Sequence, residues 1–166
     1  EPYWGTTNPS DYKYNKDVFT LAVKCASDFI TKHENENTDE RRAQVAFLQY
    51  LLFQVKNVSP THYISSNQLV AVIREYLNHR ITKNFLFRRV IAPLRDDGII
   101  IASCSHGYKI PVSVEDITTY LNQTHTIVSP MLHRVEVCRK LVLENTHGKF
   151  DILDDPAFIR YKKYFD

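Results

Sequence analysis

The sequence predicts a mainly α-helical protein carrying one small β-hairpin. Apolar residues recur every three or four positions through most of the 166 residues, the period of helices with one buried face. The stretch Gly98 to Pro111, GIIIASCSHGYKIP, breaks that period. Within it Ile99, Ile100 and Ile101 are β-branched and favour strand. Small and polar residues from Ser103 to Gly107 interrupt the run, Tyr108, Lys109 and Ile110 resume it, and Pro111 stops it. That is the pattern of a hairpin with a glycine-containing turn.

The elements follow in order. Glu1 to Tyr14 is rich in Pro, Gly, Asn, Thr and Tyr and reads as extended or irregular, packed by Tyr3 and Trp4. From about Lys16 to His33, Val18, Ala22, Cys25 and Phe29 form one helical stripe, widened by Phe19, Ala26 and Ile30. A second helix runs from about Asp39 to Lys56, capped by Thr38 or Asp39, with Val45, Leu48, Leu52 and Val55 inward. Asn57 to Tyr63, containing Ser59-Pro60, is a linker. Ser65 or Ser66 caps a helix through Leu77 that buries Leu69, Ile73 and Leu77. After a turn at Asn78 to Ile81, Thr82 caps a helix through about Arg95 that buries Leu86, Val90 and Leu94. Pro93 lies inside it and is expected to kink or end it.

Beyond the hairpin, Ser113-Val114-Glu115-Asp116 has the form of a capping box with Asp in place of the usual Glu, and starts a helix carrying Ile117, Tyr120 and Leu121. Ser129-Pro130 reads as a kink or as the cap and first residue of a new helix. The second reading is the cheaper, because Pro is tolerated at a helix start. Val128, Leu132, Val135, Cys138 and Val142 then form a stripe that Gly148 ends, and Asp155-Pro156 opens a short last helix. The segments group as residues 1–60, an extended stretch and two helices; 61–112, two helices and the hairpin; and 113–166, a helical extension.

Composition narrows the function classes. With 43% hydrophobic and 24% charged residues the chain is ordinary for a globular protein. No apolar run approaches the roughly 18 residues that cross a bilayer, and the N-terminus lacks the layout of a signal peptide. The only methionine is Met131, so the chain reads as a fragment or a processed product. Cys25, Cys104 and Cys138 are odd in number and far apart, which points to free thiols in a reducing, cytoplasmic setting. Cys25 and Cys138 fall among apolar residues and are expected in the core. The net charge is only +2, but Thr61 to Val112 holds seven basic and three acidic residues. That segment is +4 and the remainder −2, as a phosphate-binding surface requires.

Helix, turn, helix and hairpin in that order is the outline of a winged helix-turn-helix. With the apolar stripe inward, Lys83, Asn84, Arg88 and Arg95 face solvent. Lys83 and Asn84 stand at the helix start, the part of such a helix that reaches base edges. Asn pairs bidentately with adenine and Arg with guanine, while Arg88 and Arg89 suit phosphates. At the hairpin, His106 and Lys109 are placed to touch a nucleic-acid backbone or the minor groove, and Ser103 and Ser105 to donate to phosphate. The same features also describe an ordinary basic face, a wing that only completes a sheet, and a winged-helix module for protein–protein contacts.

Other chemistry finds little support. The seven histidines show no H-E-x-x-H spacing and no cysteine pair has zinc-ligand spacing. His125 and His133 read as surface residues. Cys104 and His106 lack the orienting third group that a nucleophile needs. Asp151, Asp154 and Asp155 read as solvated, with Asp155 a helix cap. There is no glycine-rich phosphate loop. No enzyme activity, cofactor or metal is expected.

The run LRDDGIIIASCSHGYKIPVSVEDITTYLN resembles the wing and following helix of bacterial and phage winged-helix proteins. In that family an L-R-x-x-G motif ends the recognition helix, followed by a strand, a short wing, G-Y-x-I and an S-x-E-D/E helix start. Leu94, Arg95, Gly98, Gly107, Tyr108, Ile110, Ser113, Glu115 and Asp116 match it, within about Ser65 to Asn122, and Pro93 departs from it. The resemblance implies double-stranded DNA binding through the helix from Thr82 to Arg95 and through the wing. The C-terminal half also resembles a module appended to bacterial proteins of unknown function that carry a ribonuclease-H-like domain, which implies an accessory fragment of a larger nucleic-acid enzyme. The helix of residues 130–145 has two candidate partners, the first two helices or its copy in a homodimer. No membrane partner is expected.

Overall fold

The computed structural model describes residues 13–166, and the expectation for residues 1–12, with Tyr3 and Trp4, lies outside them. The described chain is mainly helical with one two-stranded antiparallel sheet. It divides after Leu121 into two compact units.

In the first unit, each helix starts at a polar residue whose side chain accepts an otherwise unpaired backbone N–H. Asn15 caps α1 (Lys16–His33) at Val18 N–H, 3.0 Å. Thr38 caps α2 (Asp39–Asn57) at Arg41 N–H, 3.2 Å. Ser65 caps α3 (Ser66–Leu77) at Gln68 N–H, 3.2 Å. The chain leaves α3 through Asn78 in the left-handed region, φ 61°, which Asn adopts more readily than most residues. Thr82 then caps a helical stretch over residues 83–96 at Phe85 N–H, 3.0 Å. That stretch comprises α4 (Lys83–Phe85), a π-helical segment (Leu86–Ile91) and α5 (Ala92–Asp96).

Pro93 does not end this helix. The turn before it widens instead, so that Ala92 N–H bonds to the Phe87 carbonyl five residues back. Pro93 has no N–H to give the Arg89 carbonyl one turn earlier. The side chain of Gln44 on α2 supplies that donor, with Nε2 2.8 Å from the Arg89 oxygen. Gln44 is 3% exposed, and its Oε1 accepts from Arg41 Nη1 at 3.0 Å. Both ends of the buried amide are thus occupied, as burial demands.

The hairpin pairs β1 (Ala102–Cys104) with β2 (Gly107–Lys109) across the two-residue turn Ser105-His106, in the register Ala102↔Lys109 and Cys104↔Gly107. The first strand begins after the isoleucine run rather than within it. Ile99 and Ile101 are buried in the core and Ile100 packs against it, so their bulk serves packing. Ile64, just before α3, pairs with Tyr108 through reciprocal N–H···O bonds of 2.8 and 2.9 Å. Gly107 permits that approach: it has φ +143°, and a Cβ there would stand 2.0 Å from the Ile64 carbonyl oxygen. The core gathers Ala22 and Phe29 of α1, Phe47, Leu48 and Leu51 of α2, Leu69 and Ile73 of α3, Leu86, Val90 and Leu94, and Ile110 after the hairpin. Fully burying each large aliphatic contributes about 1.5–3 kcal/mol.

The second unit covers residues 122–166. α6 (Val114–Asn145) enters it as one continuous helix with Pro130 inside, so the new helix expected at Ser129 does not form. Residues 121–131 are all exposed, and water can take the carbonyl that Pro130 leaves without a donor. None of the residues of α6 is buried. Cys138, expected in the core, is exposed, whereas Cys25 is half-buried and packs against the core. Gly148, at φ +75°, donates to the Leu143 carbonyl at 2.8 Å and turns the chain back into two 3-10 helices, Ile152–Asp154 and Ile159–Tyr164. Arg139 clasps Asp151 with two hydrogen bonds, 3.0 and 2.8 Å, and Asp166 with a third, 2.8 Å. Its guanidinium holds the Asp151 carboxyl below the usual carboxylate range.

Gly107→Ala is expected to cost more than about 2 kcal/mol, because the added carbon meets backbone and the φ is unfavourable for any side chain. Urea denaturation of the variant beside Ser105→Ala, which alters the open turn, checks this, and equal midpoints for the two would refute it.

Candidate nucleic-acid interface

The helical stretch of residues 83–96 presents one outward face. The pair Lys83-Asn84 and the pair Phe87-Arg88, one helical turn apart, are all exposed. Thr82, by capping the helix, fixes where this face begins. Leu86, Val90 and Ile91 point into the core on the other side. Among the described residues Lys83 and Arg88 have no salt-bridge partner, so both charges are available to a ligand. Arg89 is exposed too, but its guanidinium sits 3.3 Å from Glu40 Oε1 on α2, which offsets its charge.

Arg95 and Lys109 occupy different positions from those the residue pattern indicates. Arg95 is half-buried. Its Nη2 donates to the Ile101 carbonyl at 2.8 Å and to Ser103 Oγ at 3.1 Å. The guanidinium carbon lies 3.9 Å from the Tyr120 ring centroid and 5.8 Å from that of Tyr108. Burial lowers its pKa. Arg95 therefore fastens the start of α6 and the hairpin to the helix and does not face outward. Ser103 is itself buried and cannot reach a phosphate.

Lys109 is 3% exposed. Its Nζ donates to the Pro60 carbonyl and to Asp116 Oδ2 at 2.7 Å, and it lies 5.5 Å from the Tyr63 ring centroid. The reason is the cap of α6. Ser113 Oγ accepts from Asp116 N–H at 3.0 Å, and the Asp116 carboxylate reaches back to Val112 N–H at 2.9 Å. A carboxylate fixed at this depth needs a cation, and the inward side of β2 supplies Lys109. Burial lowers the Lys109 pKa, against the pull of Asp116. It raises that of Tyr63, whose hydroxyl lies 3.4 Å from Asp116 Oδ1.

At the hairpin tip Ser105 and His106 are exposed. His106 borders an open groove of about 770 Å³ lined also by Ser59, Thr61, His62, Ser65 and Gln68. Cys104 is engaged locally, its Sγ accepting from the His106 backbone N–H at 3.3 Å. Phe87 is the exposed residue that the charged-residue pattern passes over. Its ring lies 6.3 Å from that of Tyr108 on β2, tilted 49°. The signal for it was in the sequence: Phe87 stands off the Leu86–Val90–Leu94 stripe. His125 and His133 are exposed, and Asp155 caps a turn at Ala157 N–H, 2.8 Å. Among the described residues no group of three His, Cys, Asp or Glu is arranged to hold a metal ion, and no helix is long and apolar enough to cross a membrane.

Lys109→Met is expected to destabilise the first unit by about 3 kcal/mol or more, since the Asp116 carboxylate would lose its cation and the Pro60 carbonyl its donor. Lys83→Met is expected to change stability by less than about 0.5 kcal/mol. Thermal melts of both variants test the contrast, and equal melting temperatures would remove the structural role assigned to Lys109.

No protein-family model matches the chain, and none of the curated proteins or solved structures compared with it is significantly similar.

Proposed function

We propose that this chain is a non-enzymatic module that binds double-stranded DNA through the helix of residues 83–96 and the adjoining hairpin, in the manner of a winged helix. The observation that carries the reading is the outward face of Lys83, Asn84 and Arg88 at the start of the second of two helices joined by a turn. Its two cations lack salt-bridge partners among the described residues, and a hairpin follows directly. Arg89 adds a phosphate contact once Glu40 is displaced, and His106 reaches the backbone from the wing tip. Arg95 and Lys109 hold the hairpin at its angle to the helix and touch no nucleic acid. Phosphate contacts dominate the affinity, so binding falls steeply with salt.

The test is fluorescence anisotropy with random-sequence duplex DNA at low and at physiological salt. The expected result is binding that weakens steeply with salt. Lys83→Ala combined with Arg88→Ala is expected to reduce the slope of log affinity against log salt by about 2, one for each lost phosphate contact. No binding at low salt would overturn the reading and leave a winged-helix module for protein contacts in its place.

The exposed apolar residues Val137 and Leu141, which with Cys138 and Val142 line an open groove on α6, favour pairing of two copies through residues 130–145. Monomeric proteins seldom leave such a surface open, and a dimer presents two reading helices to a pseudo-palindromic site. Light scattering is expected to give twice the 19.4 kDa chain mass, reverting to one chain for Leu141→Glu. A strict monomer at high concentration would eliminate the pairing.

A further inference from the structure

We infer that Phe87 is the residue through which the helix of residues 83–96 discriminates among bases, by taking the C5-methyl group of a thymine in the major groove. This rests on the DNA-binding reading above and adds to it the base that is read.

The argument begins with what Phe87 does in the free protein. It is 41% exposed, an aromatic ring left partly in water. In a regular helix it would share a face with Ile91, four residues on, yet Ile91 is 3% exposed. The π-helical segment Leu86–Ile91 separates the two. By widening the turn it lets Val90 and Ile91 both enter the core while Phe87 turns outward. Such segments are concentrated at functional sites.

The surroundings then say what the ring meets. Lys83, Asn84 and Arg88 border it on the helix face, and these side chains suit phosphates and polar base edges. Phe87 has no hydrogen-bonding capacity, so its contribution is apolar contact. The major-groove edge of a base pair offers one apolar group, the methyl of thymine. Contact with Tyr108, at 6.3 Å between centroids, restrains the ring while 41% of the residue stays exposed, so less rotamer freedom is lost on binding. Phe87 therefore supplies selectivity, while Lys83 and Arg88 supply charge.

The test uses the whole chain. Duplexes are first selected from a random pool at low salt, and each thymine of the selected duplex is replaced singly by uracil, which lacks only the methyl. The expected result is a loss of about fourfold in affinity at one or two positions, the worth of one buried methyl, and no loss elsewhere. Phe87→Ala is expected to bind thymine and uracil duplexes equally while keeping the wild-type salt slope. Phe87→Leu, still apolar, is expected to restore part of the thymine preference. Circular dichroism of both variants should match the wild type, since the side chain is largely outside the core. A selected site without thymine, an absent uracil penalty, or a penalty that persists in Phe87→Ala would overturn this inference and leave DNA binding intact. Failure to bind any duplex overturns both.

Discussion

The Asp116 carboxylate joins three stretches of chain that are distant in sequence. One oxygen takes the Val112 N–H and the Lys109 ammonium, and the other lies within reach of the Tyr63 hydroxyl. The start of α6, the second strand of the hairpin and the segment leading into α3 therefore share one buried charge. Such an ion pair is a poor source of net stability, because desolvation consumes most of the attraction. Its value lies in specificity, since each partner leaves a costly orphan if another is displaced. The hairpin is held in one position relative to α3 by this cluster and by the Ile64–Tyr108 bridge, and Arg95 holds it from the helix side.

This arrangement explains how much of the molecule was legible in the residues. Helices α1 to α3 and the helix of residues 83–96 announce themselves through period and caps, and Asn15, Thr38, Ser65 and Thr82 all cap as polar side chains should. The Ser113–Asp116 box was equally readable. What local pattern could not reveal was partnership at a distance. Lys109 and Arg95 look like surface cations in sequence because most are. Only the fold brings Asp116 and the tyrosines to them. Pro93 and Pro130 are instructive for the same reason. A missing N–H predicts a broken helix unless something else serves the free carbonyl. Gln44, 45 residues away, does so in one case, and solvent can do so in the other.

The candidate surface is smaller than the charge count implies. Of the cations gathered between Thr61 and Val112, two are structural and one is paired with Glu40. Arg74 and Arg80 lie off the helix of residues 83–96, so its outward face keeps Lys83 and Arg88 beside an aromatic ring, with a histidine at the hairpin tip. A small charged group around an apolar ring differs chemically from a broad basic patch. The first is suited to contact polar and apolar groups together, and the second chiefly responds to charge density.

Gly107 has a consequence for how the hairpin can be altered. The residue touches the Ile64 backbone on one side and directly follows the open turn on the other, so the boundary between free and fixed positions falls within a single peptide. Ser105 and His106 can be lengthened, recharged or replaced by a longer loop without disturbing the core, whereas the next position accepts no side chain at all. The tip is thus an attachment point for new binding loops on an otherwise unchanged scaffold, with the anchor already in place at its base.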